Sequence, residues 1–222
     1  MGVKVDLTPK QVEKCVSTVG LAFMYAPVNH PAMKHVAPVR KSLGVRSCFN
    51  ILGPMTNAAS AQHCVIGVFE EGLQGLMADT LIEVGRVEHA AVIHGVGLDE
   101  ISPLGPATIL EVKNVAPEGE PKVYVKNTYS LDPLDLGIPR CTLLDLKGGD
   151  PERNKQEFIK ALQPGQHSNA KRDAICLNAG MGIYVYGGAK TVKEGVEIAR
   201  KTLQSGEGYN LLQRWIAASS KL

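Results

Sequence analysis

Residues 63–102 read HCVIGVFEEGLQGLMADTLIEVGRVEHAAVIHGVGLDEIS. Two short apolar runs, 63–69 and 89–95, flank a segment, 73–84, whose apolar residues recur at helical spacing. Runs this short and this apolar suit strands covered on both faces, and strand, helix, strand in that order predicts a β-α-β crossover joining a parallel pair. The second run passes through glycines at 95 and 97 into two adjacent acids, Asp99 and Glu100. Open α/β sheets bind ligands beyond the carboxyl ends of their strands, which is where this pair falls. Neighbouring carboxylates repel, and both stay ionised most easily beside a divalent cation. Magnesium fits, because it takes hard oxygen ligands and is commonly held by one or two protein carboxylates while substrate phosphates and water supply the rest. A solvated loop with two acids, one capping the next segment, explains the same dipeptide, and two residues alone do not separate the readings.

Outward from this unit, ATILEV (107–112) and PKVYVKN (121–127) predict two further strands, antiparallel across a Pro/Glu/Gly turn. Turn-rich LDPLDLGIPRC and KGGDP lead to helices near 152–162, 168–186 and 190–204, with a last one near 209–218. Toward the N-terminus, Thr8 caps a helix with Pro9 in its first turn and Gln11 three residues on, and Val12, Cys15, Val16 and Val19 repeat up to Gly20. Another helix is expected from Asn29 or His30 toward Gly44, kinked or divided at Pro38. The fold class expected is α/β, a mostly parallel sheet with helices on both faces.

Within that last helix, Met33, Val36, Arg40 and Leu43 fall on one arc of about 80°, with Lys34 and Lys41 outside it. A guanidinium on an inward face needs an anion, and its planar fork matches a carboxylate at two points. The anion is either an internal Asp or Glu or the carboxylate of a ligand. Glycines 180, 182, 187 and 188 read as helix packing and termination, since they lack the spacing of a phosphate loop. Trp215 reads as a packing anchor of the terminal helix.

The 222 residues are 44% hydrophobic, enough to bury a core, and 24 Lys and Arg against 22 Asp and Glu leave a formal charge of +2. With the signs interspersed there is no basic stripe, which disfavours nucleic acid as a partner. Cys15, Cys48, Cys64, Cys141 and Cys176 are odd in number and widely spread, favouring reduced thiols over a disulfide framework or a zinc cage. No apolar run approaches the roughly 20 residues that span a bilayer, and the first residues carry no visible targeting signal.

FMYAPVNHPAMKHVAPVRKSLGVRSCFNILGPMTNAA (23–59) and GVGLDEISPLGPA (95–107), with LDPLDLGIPRCTLLDLKGGDP (131–151) and LNAGMGIYVYGGAKTVKEGVEIAR (177–200), closely resemble anthranilate phosphoribosyltransferases. The resemblance runs over essentially the whole chain, and 132–151 is most similar to members from plants and related photosynthetic eukaryotes. It implies transfer of the phosphoribosyl group of 5-phosphoribosyl diphosphate to the amino group of anthranilate, with release of pyrophosphate, in tryptophan biosynthesis. By the same resemblance Arg40 would hold anthranilate, Asp99 and Glu100 would hold Mg2+ at the diphosphate, and no side chain would act as nucleophile. It implies that 1–25 is a helix of the α/β domain, 26–58 contributes to a small helical subdomain and hinge, and 59–222 is a phosphoribosyltransferase domain of the nucleoside phosphorylase kind. It further implies a homodimer in the full-length protein, housed in the plastid for a plant-like source and in the cytoplasm otherwise.

The family's glycine-rich GTGGD loop, its N-x-S-T and its K-H-G-N stretch are absent from these residues. The expectation is therefore of a sheet lacking its N-terminal strands, with most of the diphosphate cradle missing and little turnover by this polypeptide alone. A pyrimidine nucleoside phosphorylase, or a non-catalytic truncated or nucleic-acid-binding relative, are the alternatives.

Overall fold

The computed structural model describes residues 1–31, 35, 36, 38, 39, 42, 44, 52–57 and 59–222. In chain order its elements are α1 (Pro9–Val19), α2 (Ala26–Asn29), α3 (Leu52–Met55), β1 (His63–Gly67), α4 (Leu73–Val84), β2 (His89–His94), β3 (Ala107–Asn114), β4 (Tyr124–Leu131), α5 (Leu143–Leu146), α6 (Pro151–Leu162), α7 (Ala170–Tyr186), α8 (Val192–Ser205) and α9 (Glu207–Ser219). The helix expected from Asn29 or His30 toward Gly44 falls largely outside the described residues, and Arg40 is among those left out.

The predicted β-α-β unit is present: β1 and β2 run parallel with His63 opposite His89, and α4 occupies the predicted span. The described sheet has the order β1-β2-β3-β4, with β2–β3 and β3–β4 antiparallel. It is thus mixed, where a mostly parallel sheet was expected, and only β1–β2 carries the parallel character. The cause is local. No helix intervenes in the connections after β2 and β3, and without a crossover the chain can only turn back beside the strand it has left.

Alternation along β2 divides the core. Ala91 and Ile93, with Ala107 and Ile109 of β3, face Leu177, Met181, Val196 and Leu203 of α7 and α8. Ala90, Val92 and Val112 face Met77, Ala78 and Leu81 of α4. Helices therefore cover both faces, as the doubly apolar strand requires. A smaller cluster joins Leu7, Val12 and Cys15 to Trp215 of α9, the anchor read from the sequence.

Helix ends follow local chemistry. The Gln11 side chain accepts from the Thr8 N–H at 2.9 Å, fixing the start of α1. The helix expected near 168–186 begins at Ala170, because Asn169 is its cap and accepts from the Lys171 and Arg172 N–H groups. α7 and α8 cross at Gly180 and Gly195 so closely that a Cβ on Gly195 would lie 2.2 Å from the Gly180 carbonyl oxygen. α7 also packs on the sheet, where Asn178 reaches Ile101 beyond the end of β2 and Tyr184 reaches Glu111 of β3.

At the start of β2, His89 Nε2 lies 2.6 Å from Glu111 Oε1 on β3, and the Tyr184 hydroxyl of α7 donates to the same oxygen at 2.9 Å. His89 and Glu111 are 6% and 8% exposed. Burial pushes the Glu111 carboxyl up, but its hydrogen bonds to His89 and Tyr184 outweigh burial and hold it below the usual carboxylate range. The same surroundings push Tyr184 up to about 12, chiefly through burial. A depressed carboxyl contributes stability above its unfolded value, about 4.3, and loses it as pH falls through the lower folded value. Glu111→Gln should accordingly cost about 2 kcal/mol at neutral pH. The gap to the native chain should shrink below about pH 4. Urea midpoints of both chains across that range check this, and a gap independent of pH would refute it.

Candidate active site

The loop after β2 is folded back over the ends of its own sheet. β1 stops at Gly67, after which the Val68 N–H donates to the Ile93 carbonyl at 2.8 Å and His94 Nδ1 lies 3.0 Å from the Val68 oxygen. Gly95 N–H donates to the Leu98 carbonyl at 2.8 Å, and Gly97, at φ +69°, takes the left-handed turn. The backbone of the acids then lies directly on two glycines. A Cβ on Gly67 would sit 1.7 Å from the Asp99 carbonyl oxygen, and one on Gly95 2.2 Å from that of Glu100. Glycine at 67 and 95 is therefore what brings the pair onto the carboxyl ends of β1 and β2.

Past the acids the loop is held from the helical layer. Asn178 of α7 accepts from the Ile101 N–H at 3.1 Å and donates to the Ile101 carbonyl at 2.8 Å. Ile101 and Ser102 are buried, whereas the Asp99 and Glu100 side chains are exposed. Among the described residues neither acid takes part in an ion pair. Both side chains line a cleft of about 770 Å³.

The cleft's apolar lining comes from Leu143, Leu144 and Leu146 of α5, Phe158 of α6 and Ile175 of α7. Leu144 is 78% exposed and lines the same cleft as the acids. Of the cleft's two lysines, Lys147 and Lys171, the second is already occupied. Lys171 is ion-paired with Glu157 and donates to the Lys147 carbonyl at 2.9 Å. Lys171 first, then Arg153, holds the Glu157 carboxyl below its usual range. Among the described residues, the cleft's charged side chains without an ion pair are thus Asp99, Glu100 and Lys147, with the two acids adjacent.

A smaller cavity, about 360 Å³, is lined by Arg140, Arg172 and Arg200, but these guanidiniums have protein partners. Arg140 pairs with Asp132 at 2.6 Å, Arg172 donates to the Ala161 and Gln163 carbonyls at the end of α6, and Arg200 donates to the Gly137 carbonyl at 3.2 Å.

As a metal site, Asp99 and Glu100 offer two hard oxygen ligands and an incomplete shell, since no group of three or more His, Cys, Asp or Glu suited to a metal occurs among the described residues. That donor set fits magnesium arriving with a phosphate ligand, and does not fit zinc, which takes a closed shell of nitrogen and sulfur. Arg40 lies outside the described residues, so the acids are brought together with each other and not tested against it. Asn178 went unnoticed in the sequence. Its signal was an amide set among Cys176, Leu177, Gly180 and Met181, all of them buried.

Residues 1–209 match the family model described as glycosyl transferase family, a/b domain. Anthranilate phosphoribosyltransferase from Chromobacterium violaceum is 42% identical over 225 residues, covering 100% of this chain and 62% of that protein. The crystal structure of anthranilate phosphoribosyltransferase from Thermus thermophilus superposes with a TM-score of 0.87 at 40% identity, over 99% of this chain and 62% of its own. The Saccharomyces cerevisiae anthranilate phosphoribosyltransferase in complex with PRPP and Mg gives a TM-score of 0.85 at 25% identity, over 100% of this chain and 61% of that one. The chain thus spans a little over three fifths of the length of the relatives it matches. No described helix is long and apolar enough to cross a membrane.

Proposed function

Because the chain belongs to the glycosyl transferase family, whose a/b domain it matches from residue 1 to 209, we propose that it serves phosphoribosyl transfer to anthranilate. In that reaction the bond from ribose C1 to the diphosphate oxygen breaks, the anthranilate nitrogen bonds to C1, and the amine proton passes to solvent or to the departing diphosphate. Asp99 and Glu100 are the magnesium ligands in this reading, and Arg40 holds the anthranilate carboxylate. Bound magnesium supplies positive charge to the leaving diphosphate. The protein's share is placement: the acids fix where the diphosphate lies, and a guanidinium fork orients the amine toward C1. No nucleophile or general base is assigned, because an aromatic amine attacking a centre that already carries oxocarbenium character requires neither. Assembly of the full-length protein as a homodimer, with 26–58 supplying only part of the interface and 59–222 forming the phosphoribosyltransferase domain, belongs to the same reading and is carried by resemblance alone.

The observation that carries the proposal is the acid pair, two exposed carboxylates without ion-pair partners among the described residues, at the carboxyl end of a central strand. Calorimetry of the 222-residue chain with pyrophosphate should register binding only when magnesium is present. Anthranilate fluorescence should report binding of the acceptor that Arg40→Ala weakens. Turnover of anthranilate with 5-phosphoribosyl diphosphate should be low for these 222 residues alone, because the GTGGD, N-x-S-T and K-H-G-N stretches of the family are not among them. Pyrophosphate binding indifferent to magnesium, or phosphate-dependent cleavage of a pyrimidine nucleoside, would overturn the assignment.

A further inference from the structure

We infer that Asn178 is the residue that aims the acid pair, a positioning role exerted across the interface between α7 and the sheet. The inference rests on the proposed reading of Asp99 and Glu100 as metal ligands. Its basis is the peptide unit between Glu100 and Ile101, which is fixed at both ends. The Glu100 carbonyl lies on Gly95, where a Cβ would come within 2.2 Å of it, and the N–H of the same unit donates to Asn178 Oδ1 at 3.1 Å. The Asn178 amide also donates to the Ile101 carbonyl at 2.8 Å and to the Ala174 carbonyl of its own helix at 2.9 Å. With both amide hydrogens and the oxygen engaged, the side chain is held in one orientation, and it transmits that orientation to the peptide it clamps.

The neighbouring restraints leave the acids little other freedom. Gly95 is bonded to Leu98 on one side, and the Ile101 side chain is 0% exposed on the other. Only Asp99 and Glu100 remain between these anchors. An apolar residue at 178 would suit the buried stripe of α7 formed by Cys176, Leu177 and Met181, yet it would leave the Ile101 N–H and carbonyl unpartnered and the loop free to rotate. Ligand-orienting partners of this kind tune metal affinity without touching the metal.

The probe is Mn2+ alone, titrated into the 222-residue chain by electron paramagnetic resonance, alongside amide hydrogen exchange and thermal melting. Asn178→Ala and the near-isosteric Asn178→Leu should each weaken Mn2+ binding about tenfold or more. Both should speed exchange of the Ile101 amide. Val185→Ala, which opens a cavity farther along α7 at a residue 2% exposed, should lower the melting temperature and leave the Mn2+ affinity as it was. If the native chain binds Mn2+ no better than Asp99→Asn/Glu100→Gln, the metal reading falls and the positioning role with it. If the native chain binds through the acids and the Asn178 variants bind as tightly, or if Val185→Ala weakens binding in step with its loss of stability, the metal reading stands and the positioning role alone is refuted.

Discussion

Asp99→Asn combined with Glu100→Gln is expected to abolish magnesium-dependent pyrophosphate binding, with a loss on the order of 100-fold or more. That loss has a floor, because removing only an outer partner of a metal ligand typically costs about 10–100-fold in affinity. Here both proposed ligands go while the volume of each side chain is kept. The fold should not suffer. Both acids are exposed and, among the described residues, neither has an ion pair to lose. Removing two adjacent like charges relieves a repulsion, so the melting temperature should hold or rise slightly without metal, and the stabilisation that magnesium with pyrophosphate gives the native chain should disappear. Calorimetry and melting curves with and without both ligands measure this. A drop in metal-free melting temperature would mean that the carboxylates are structural.

The β-α-β unit, the spans of α4 and α6 and the antiparallel pair were legible because each follows from periodicity over a few consecutive residues. Apolar runs at 63–69 and 89–95, helical spacing at 73–84 and a Pro/Glu/Gly turn at 117–119 each decide an element locally. The mixed sheet was less legible as a whole. The alternation of strands and helices suggested one direction, while the absence of a helix after β2 dictated the other. At the site, Asp99 and Glu100 could be picked out by their place after a strand. What supports them could not, because Gly67 and Asn178 lie far from them in sequence and meet them only when β1 and α7 pack against β2. The same holds for His89 and Glu111, two ordinary strand residues until register places them in contact. Sequence patterns report which face a residue takes, whereas a contact between elements depends on register and crossing geometry.

That dependence makes glycine 67 the most sensitive backbone position of the site. Gly67→Ala should destabilise the chain by about 3 kcal/mol, the upper part of the usual range for overpacking. The added Cβ would lie 1.7 Å from the Asp99 oxygen and 2.6 Å from its carbonyl carbon, both backbone atoms. A side-chain end could swing aside, but this backbone is anchored by Gly95 and Asn178 and can yield only as a unit. To regain ordinary contact, β1 and the acid loop must part by more than about an ångström. The melting temperature should fall by about 6–12 °C, and Mn2+ affinity should fall with it, since the acids move with their backbone. Gly182→Ala is the matched comparison, a helix-interior glycine of α7 with nothing within 4 Å of its Cβ position. It should stabilise by about 0.5–1 kcal/mol and leave metal binding unchanged. If Gly67→Ala melts like the native chain and still binds Mn2+, the acid loop does not rest on the end of β1, and the pair is not held where a ligand at the strand ends would need it.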